Sequence, residues 1–144
     1  MFSKIVVALN DLPESQRALR TAIDLARTCN AELATVSILE EPPAYTSFSV
    51  IVDPGAPAAM MEERRNHHNE LHAKAATLAQ QTGVHAQGSI VAGKEVRAIL
   101  HFLREQKADL LVVGLHQHDF YLSRLWNSVY DLAQDATCSV LGVH

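Results

Sequence analysis

The residues from Val112 to Ser128 form the part of this 144-residue chain whose types and spacing best suit chemistry. An apolar run ends at Gly114, a polar stretch follows, and helical periodicity resumes near Ser128. In a parallel α/β sheet, phosphates bind where a strand turns into a helix, because helix N-terminal amides and glycine turns suit anions. We therefore predict a nucleotide site whose residues here are Gly114, Gln117, Asn127, Ser128 and Val129.

Two further stretches belong to the same predicted site. Asn10 and Asp11 directly follow the first apolar run, and Gly93 follows the third. Ligands of open parallel sheets lie at the carboxyl ends of the strands. We therefore predict that these residues contact the same ligand as the loop after Gly114.

Eight histidines are a further source of chemistry. His68 and His72 are one helical turn apart, a spacing that lets two imidazoles share a zinc ion. A third ligand is not evident, because neither Glu63 nor Glu70 is clearly on the same helix face. We predict no metal site and expect a solvated or half-buried helix face.

The elements that must position these residues are five short apolar runs alternating with four helical patterns. The runs span Ile5–Leu9, Leu33–Leu39, Ala86–Val91, Leu110–Val113 and Val140–Val143. The helical patterns span Pro13–Thr28, Ala58–Thr82, a segment containing 96–103, and Ser128–Gln134. Such alternation predicts an α/β fold, a doubly wound five-stranded parallel sheet with helices on both faces. We predict strand order 3-2-1-4-5, with a switch point between strands one and four.

A proline-rich segment, Glu40–Pro57, interrupts this alternation. Loops of this length in compact domains tend to be functional or mobile. Whether it closes over the carboxyl edge is left open by the sequence. The length and the continuous alternation predict a single domain over residues 1–144.

Composition restricts the classes of partner. A net charge of −4 and the absence of a Lys/Arg run argue against nucleic-acid binding. Two cysteines are too few for a disulfide framework. The opening MFSKIVVALND has one short apolar run before it turns acidic, and no stretch reaches the length of a membrane span. We therefore expect a cytoplasmic protein without a membrane partner.

The loop after the fourth run has a recognisable spacing. Gly114 is followed by two residues, Gln117, nine residues from His118 to Trp126, and then Asn127-Ser128. This spacing resembles the signature of the universal stress protein family, which has glycine, two residues, glycine, nine residues, and Gly-Ser or Gly-Thr. The segments IVVALND, DLLVVG and CSVLGV also look familial, and the resemblance covers nearly the whole chain.

The resemblance implies an α/β protein that commonly dimerises, takes part in stress survival and, in one branch, binds ATP through the glycine loop and the acidic end of the first strand. This chain departs from that branch at three positions. Asn10 replaces an aspartate, and Gln117 and Asn127 replace glycines, whereas Gly114 and Ser128 match.

The two loop departures differ in physical cost. Asn tolerates left-handed φ better than most residues, so Asn127 is the milder change. At Gln117, left-handed φ would cost roughly 1–2 kcal/mol, and the side chain would enter the phosphate volume. Because about 1.4 kcal/mol is tenfold in affinity, two such changes are enough to make weak nucleotide binding irrelevant, and we favour an empty or occluded loop over an occupied one.

Two functional hypotheses follow. The leading one is a regulatory or protective stress protein with an altered nucleotide loop, acting as a homodimer through its apolar C-terminal edge strand. The alternative is an adenine-nucleotide switch that binds ATP or AMP with slow or no hydrolysis. We assign no catalytic residue, because a receiver-type phosphoacceptor and a GxSxG elbow are both missing. Slow ATP hydrolysis is the one candidate activity.

Overall fold

The computed structural model describes residues 1–40, 54–115 and 123–144, and for residues 123–128 it describes the backbone alone. Five strands alternate with four helices in this part of the chain. The strands are β1 (Lys4–Ala8), β2 (Glu32–Leu39), β3 (Ala86–Ala92), β4 (Leu110–Gly114) and β5 (Ser139–Val143). The helices are α1 (Pro13–Cys29), α2 (Ala56–Gln80), α3 (Glu95–Gln106) and α4 (Ser123–Asp135).

The sheet has the order β3-β2-β1-β4-β5, and every pair of neighbouring strands is parallel. The predicted fold class and strand order 3-2-1-4-5 are therefore confirmed. The central strand β1 pairs with β2 on one side and β4 on the other, so that Val6 lies between Ala34 and Leu111. The switch point lies between β1 and β4, and their carboxyl ends meet there.

The two faces of the sheet carry separate apolar cores. Along β1, Ile5 and Val7 pack with α1 and α2, whereas Val6 packs with α3 and α4. This alternation follows from the two-residue period of a strand. Because helices cover both faces, the β1 residues Ile5, Val6 and Val7 are fully buried.

The first helix shows how local sequence sets an element's ends. Pro13 occupies its first turn, where a missing amide costs nothing, and acidic Glu14 follows. Asn30 ends it in the left-handed region at φ 53°, and the amide of Ala31 donates to the carbonyl of Ala26 at 2.8 Å. Asn adopts this conformation more readily than most residues, so Asn30 suits the end of the helix.

The predicted element boundaries agree with the structure to within two residues, with one exception. The last helix was expected to begin near Ser128, where the helical spacing of Val129, Leu132 and Ala133 starts. That prediction is wrong, since α4 begins at Ser123. The apolar spacing of Leu125, Val129 and Leu132 extends the helical period toward the N-terminus. Asn127 and Ser128 therefore lie inside the helix.

Within the described ranges, no helix has the length and apolar character needed to cross a membrane.

Candidate functional site

A cleft of about 700 Å³ opens at the carboxyl edge of the sheet, over the ends of β1 and β2. The ends of β1 and β2 form its floor, and α2 and the first turns of α3 form its walls. Its size falls in the range usual for small-molecule sites. Its lining residues are Ala8, Leu9, Asn10, Asp11, Val36, Ile38, Leu39, Glu40, Met60, Glu63, Arg64, His67, His68, Leu71, Glu95 and Ile99.

Asn10 and Asp11 form the turn that leaves β1 and enters the cleft. The amide of Leu12 donates to Asn10 Oδ1 at 2.9 Å, and the amide of Asn10 donates to Ser15 Oγ at 2.9 Å. These bonds form an Asx-type turn that fixes the backbone before α1. Asp11 Oδ1 lies 2.6 Å from Nε2 of His67, so the carboxylate is attached to α2 across the cleft mouth.

Gly93 and Gly114 end their strands at the same edge of the sheet. The amide of Gly93 donates to the carbonyl of Leu39 at 3.3 Å, next to the cleft floor. At Gly114 a β-carbon would lie 2.5 Å from the carbonyl carbon of Glu14. Gly114 is therefore needed for the close approach of α1 to β4, independently of any ligand.

The other predicted site residues are less fully described. Gln117 lies outside the described residues, and Asn127 and Ser128 lie in α4, where only the backbone is described. Val129 is half-buried and packs against the core between the sheet and α3 and α4. Nucleotide contact by these four residues stays a prediction.

A buried chain of hydrogen bonds joins α2 to β2 beside the cleft, and we name Thr35, Ser37, His68 and His72 the histidine relay. His72 Nδ1 lies 2.7 Å from Thr35 Oγ1, and His72 Nε2 lies 2.7 Å from Ser37 Oγ. The same Ser37 oxygen lies 2.7 Å from Nδ1 of His68. His68 lines the cleft, so the relay runs from the core to the ligand space.

Of the expected solvated or half-buried helix face, His68 is half-buried, whereas His72 is buried more deeply than expected. His72 is 9% exposed, and its ring fills the space left by Gly88 of β3, where a β-carbon would approach the imidazole to 2.9 Å. Both ring nitrogens of His72 are satisfied by hydroxyls of β2, which is why a polar side chain is tolerated there. Across the described part of the chain, no group of three His, Cys, Asp or Glu side chains could hold a metal ion.

Burial favours neutral imidazoles in the relay. It is the main cause that lowers the pKa of His72, and the nearby His68 adds to the effect. The pKa of His68 is also lowered, first by burial and then by His67, Arg65 and Arg64, while Asp11 acts in the opposite direction. Both rings therefore lose their protons more readily than a solvent-exposed histidine.

The described cleft lining has an excess of negative charge. It carries one guanidinium, Arg64, and four carboxyl groups. Those four are Asp11, Glu40, Glu63 and Glu95. Burial, followed by the charge of Glu40, raises the pKa of Glu95, so this carboxyl holds its proton to a higher pH than usual. A ligand with many negative charges is disfavoured here unless positive charge accompanies it.

Two of the residues predicted for the site, Asn10 and Asp11, line the cleft, whereas sequence reasoning did not predict the histidine relay. The available signal was in β2, where Thr35 and Ser37 are two residues apart and so share a face. Pairing them with a histidine 35 to 37 residues later requires the packing of α2 on β2, which periodicity does not specify.

The comparison with protein-family models matches the Universal stress protein family over residues 1–144. The chain belongs to this family. One curated member, Universal stress protein YxiE of Bacillus subtilis, is 30% identical over 146 aligned residues, covering 98% of each chain. The family resemblance inferred from the loop spacing is confirmed.

Solved structures of family members share the fold. Universal stress protein UspA from Lactobacillus plantarum has a TM-score of 0.83 at 16% identity, covering 99% of this chain and 97% of its own. A universal stress protein solved in complex with cAMP has a TM-score of 0.69 at 23% identity, covering 99% of this chain and 97% of its own. At these identities the likeness establishes the common architecture.

Proposed function

We propose that this universal stress protein is a regulatory or protective stress-response protein that binds an adenine nucleotide in the carboxyl-edge cleft. The observation that carries the proposal is the position of the cleft at the carboxyl ends of β1 and β2, with Asn10 and Asp11 in its lining. Parallel α/β sheets bind ligands at this position. The cAMP complex of a family member with the same fold supports the choice of an adenine nucleotide.

The cleft offers suitable groups for the nucleoside part of such a ligand. Ile38, Met60 and Leu71, which are half-buried or exposed, supply apolar surface against which a base can pack. Asn10 Nδ2 is a donor, and Asp11 is an acceptor suited to ribose hydroxyls or an exocyclic amine. We infer that most of the binding free energy comes from the base and the ribose.

The phosphate end of the ligand is expected to contribute less. Gln117 and Asn127 replace two glycines of the family's ATP-binding loop, and the described cleft lining is predominantly acidic. Each added phosphate charge therefore costs affinity unless a divalent cation accompanies it. We propose the affinity order cAMP, then AMP, then ATP in the absence of divalent ions, with slow or no ATP hydrolysis.

Calorimetric titration with cAMP, AMP and ATP tests this function. We expect saturable binding of cAMP that Asn10→Ala weakens, because the variant loses an amide in the cleft lining. His85→Gln is the matched control, since His85 is exposed and precedes β3 at the opposite edge of the sheet. No heat and no thermal shift at millimolar ligand would overturn the proposal.

A second candidate, a protective stress protein that binds no nucleotide, is favoured by Gln117 and Asn127 at two glycine positions of the family's nucleotide signature. The same titration separates the two candidates.

The proposal extends to the domain organisation, the assembly and the location of the protein. We propose that residues 1–144 form one domain, that two copies associate through β5, and that the protein acts in the cytoplasm. β5 is an edge strand of the sheet and has an apolar sequence, SVLGV, which supports association through it.

A further inference from the structure

The histidine relay has one end in the core and the other in the cleft. Thr35, Ser37 and His72 are buried, whereas His68 is half-buried and lines the cleft. The hydroxyl of Ser37 occupies Nδ1 of His68. The other ring nitrogen, Nε2, is therefore the one available to a ligand. The relay decides whether this nitrogen donates or accepts a hydrogen bond.

Two hydroxyl protons set the direction of the relay. Within the described residues, Thr35 Oγ1 has one hydrogen-bond partner, Nδ1 of His72, and Ser37 Oγ has two, Nε2 of His72 and Nδ1 of His68. Thr35 and Ser37 are each 1% exposed, so bulk water does not accept either proton. A buried hydroxyl proton without an acceptor is costly. The stable arrangement therefore directs both protons to imidazole nitrogens.

One arrangement of the neutral relay meets this condition. Thr35 donates to Nδ1 of His72, so the proton of that ring lies on Nε2. The Nε2–H of His72 then donates to Ser37, and Ser37 donates to Nδ1 of His68. The proton of His68 therefore lies on Nε2, which becomes a hydrogen-bond donor in the cleft. Reversal of these bonds would leave the hydroxyl proton of Thr35 without an acceptor.

The direction in which the two histidine pKa values are shifted agrees with this arrangement. Burial is the main cause that lowers the pKa of both His68 and His72. A second proton on either ring would occupy a nitrogen that already accepts a hydrogen bond from a hydroxyl. The neutral relay, with Nε2–H on His68, is therefore the form expected near neutral pH.

The wall of the cleft places a base beside this donor. Met60, Arg64, His68 and Leu71 all line the cleft, and their spacing of three or four residues puts them on one stripe of α2. Leu71 is one helical turn from His68, so a base that packs against Leu71 lies next to the imidazole. The acceptors of adenine are ring nitrogens, because its exocyclic amine donates. Such a contact involves no phosphate and is separate from the loop after β4.

We propose that His68 donates a hydrogen bond from Nε2 to a ring nitrogen of the bound base, and that Thr35, Ser37 and His72 are positioning residues that hold this tautomer. The inference rests on the proposed nucleotide function and deepens it by naming a residue that recognises the base. The cleft then selects heteroaromatic bases with an unprotonated ring nitrogen at the edge that faces α2. A C–H group at that position leaves the covered Nε2–H without an acceptor and lowers the affinity.

Calorimetric titration tests the contact with cAMP and three analogues that replace N1, N3 or N7 of the base by C–H. We expect one analogue to bind about five- to thirtyfold more weakly than cAMP, because it loses one hydrogen bond. In His68→Ala the same analogue should bind within about twofold of cAMP, because the donor is absent. His85→Ala is the matched control, since His85 is exposed at the opposite edge of the sheet, and it should keep the full difference.

Nitrogen NMR of the imidazole rings tests the tautomer in the unmodified protein. Nε2 of His68 should have the shift of a protonated ring nitrogen and Nδ1 that of an unprotonated one, and cAMP should move the Nε2 shift more. Ser37→Ala removes the bond that holds the tautomer, so the two shifts should move toward each other. Thr35→Ser keeps the first hydroxyl of the relay and should retain the original shifts.

The outcomes separate this inference from the proposed function. If cAMP gives no heat and no thermal shift at millimolar concentration, both are overturned. If cAMP binds but no analogue is weaker, or the difference persists in His68→Ala, the inference is overturned and the proposed function stands. A proton on Nδ1 of His68 in the unmodified protein would also overturn it, and this measurement does not depend on the folding of any variant.

Discussion

Two glycines of the sheet lie where another element leaves no room for a β-carbon. At Gly88 the obstacle is the His72 side chain, and at Gly114 it is the backbone of Glu14. Gly114 also matches the first glycine of the family's nucleotide loop. A glycine at this position is therefore explained by helix packing, and its presence is not by itself support for nucleotide binding.

We predict that Gly114→Ala destabilises the protein. A β-carbon would meet the carbonyl carbon and oxygen of Glu14 at 2.5 and 2.6 Å, so α1 would have to move away from β4. The expected loss in the free energy of unfolding is about 1–3 kcal/mol, measured by urea titration.

Gly142→Ala is the matched control for that variant. Its new β-carbon would meet the end of the Leu115 side chain, which can change rotamer, so the expected loss is smaller. An equal or greater loss for Gly142→Ala would contradict the assigned role of the Glu14 backbone.

The relay predicts a pH dependence of stability at the residue scale. Because His68 and His72 have lowered pKa values, the folded state binds fewer protons than the unfolded state below about pH 6.5. Their contribution to the free energy of unfolding is fully present above about pH 6.5, and it is lost as the pH falls toward the pKa values of the two histidines in the folded state. Each group contributes a slope of at most about 1.4 kcal/mol per pH unit in that window.

Urea unfolding across that pH range checks this expectation through a comparison of variants. His72→Gln should be less stable than the unmodified protein near neutral pH and should show a shallower loss on acidification. His101→Gln, which replaces an exposed histidine paired with Glu105, should retain the original pH dependence. If the free energy of unfolding of His72→Gln depended on pH as steeply as that of the unmodified protein, protonation of His72 would be ruled out as a cause of the acid destabilisation.

At the element scale, hydrophobic periodicity predicted most of the fold. The short apolar run Leu33–Leu39 predicts the strand β2. The helix α1 is predicted by apolar residues at helical spacing, namely Leu19, Ala22, Ile23 and Ala26. The start of α4 was misplaced because Ser123 and Ser128 are both chemically acceptable helix starts. The relay was missed because its bonds depend on the packing of two elements, which no local pattern specifies.

The corrected start of α4 separates the effects of the two altered loop positions. Gln117→Gly should raise AMP affinity up to about tenfold, since it removes a side chain from the expected phosphate volume. Asn127→Gly lies inside α4 and should lower the free energy of unfolding by only about 0.3 kcal/mol, because asparagine is itself a poor helix former and glycine is only slightly worse. Calorimetry and urea unfolding of both single variants measure these effects.

Gln117→Ala is the control for the loop, because it shortens the side chain without adding backbone freedom. Equal gains for Gln117→Ala and Gln117→Gly would assign the effect to side-chain volume. No gain in AMP affinity for either variant would contradict the altered-loop interpretation.

At the scale of the whole molecule, the sheet has two edges, β3 and β5. The amide of Ser139 donates to the carbonyl of Asp109, so it points toward β4. Successive amides of a strand point to opposite sides, so the amide of Val140 points away from β4. On the helix beside this edge, Tyr130 is 65% exposed. An outward row of amides next to an exposed aromatic ring suits pairing with a second copy.

We predict that the protein is a dimer and that Val140→Pro makes it monomeric. Proline removes the outward amide of β5 without removing a hydrogen bond to β4, so the fold should persist while edge pairing fails. Ile90→Pro is the matched control on the opposite edge strand, β3. The amide of Gly93 donates to the carbonyl of Leu39 and so points toward β2. Because successive amides alternate in direction, the amide of Ile90 points outward. Light scattering after size exclusion should give a dimer for Ile90→Pro and a monomer for Val140→Pro. A dimer that tolerates Val140→Pro, but dissociates in Ile90→Pro, would place the interface at β3.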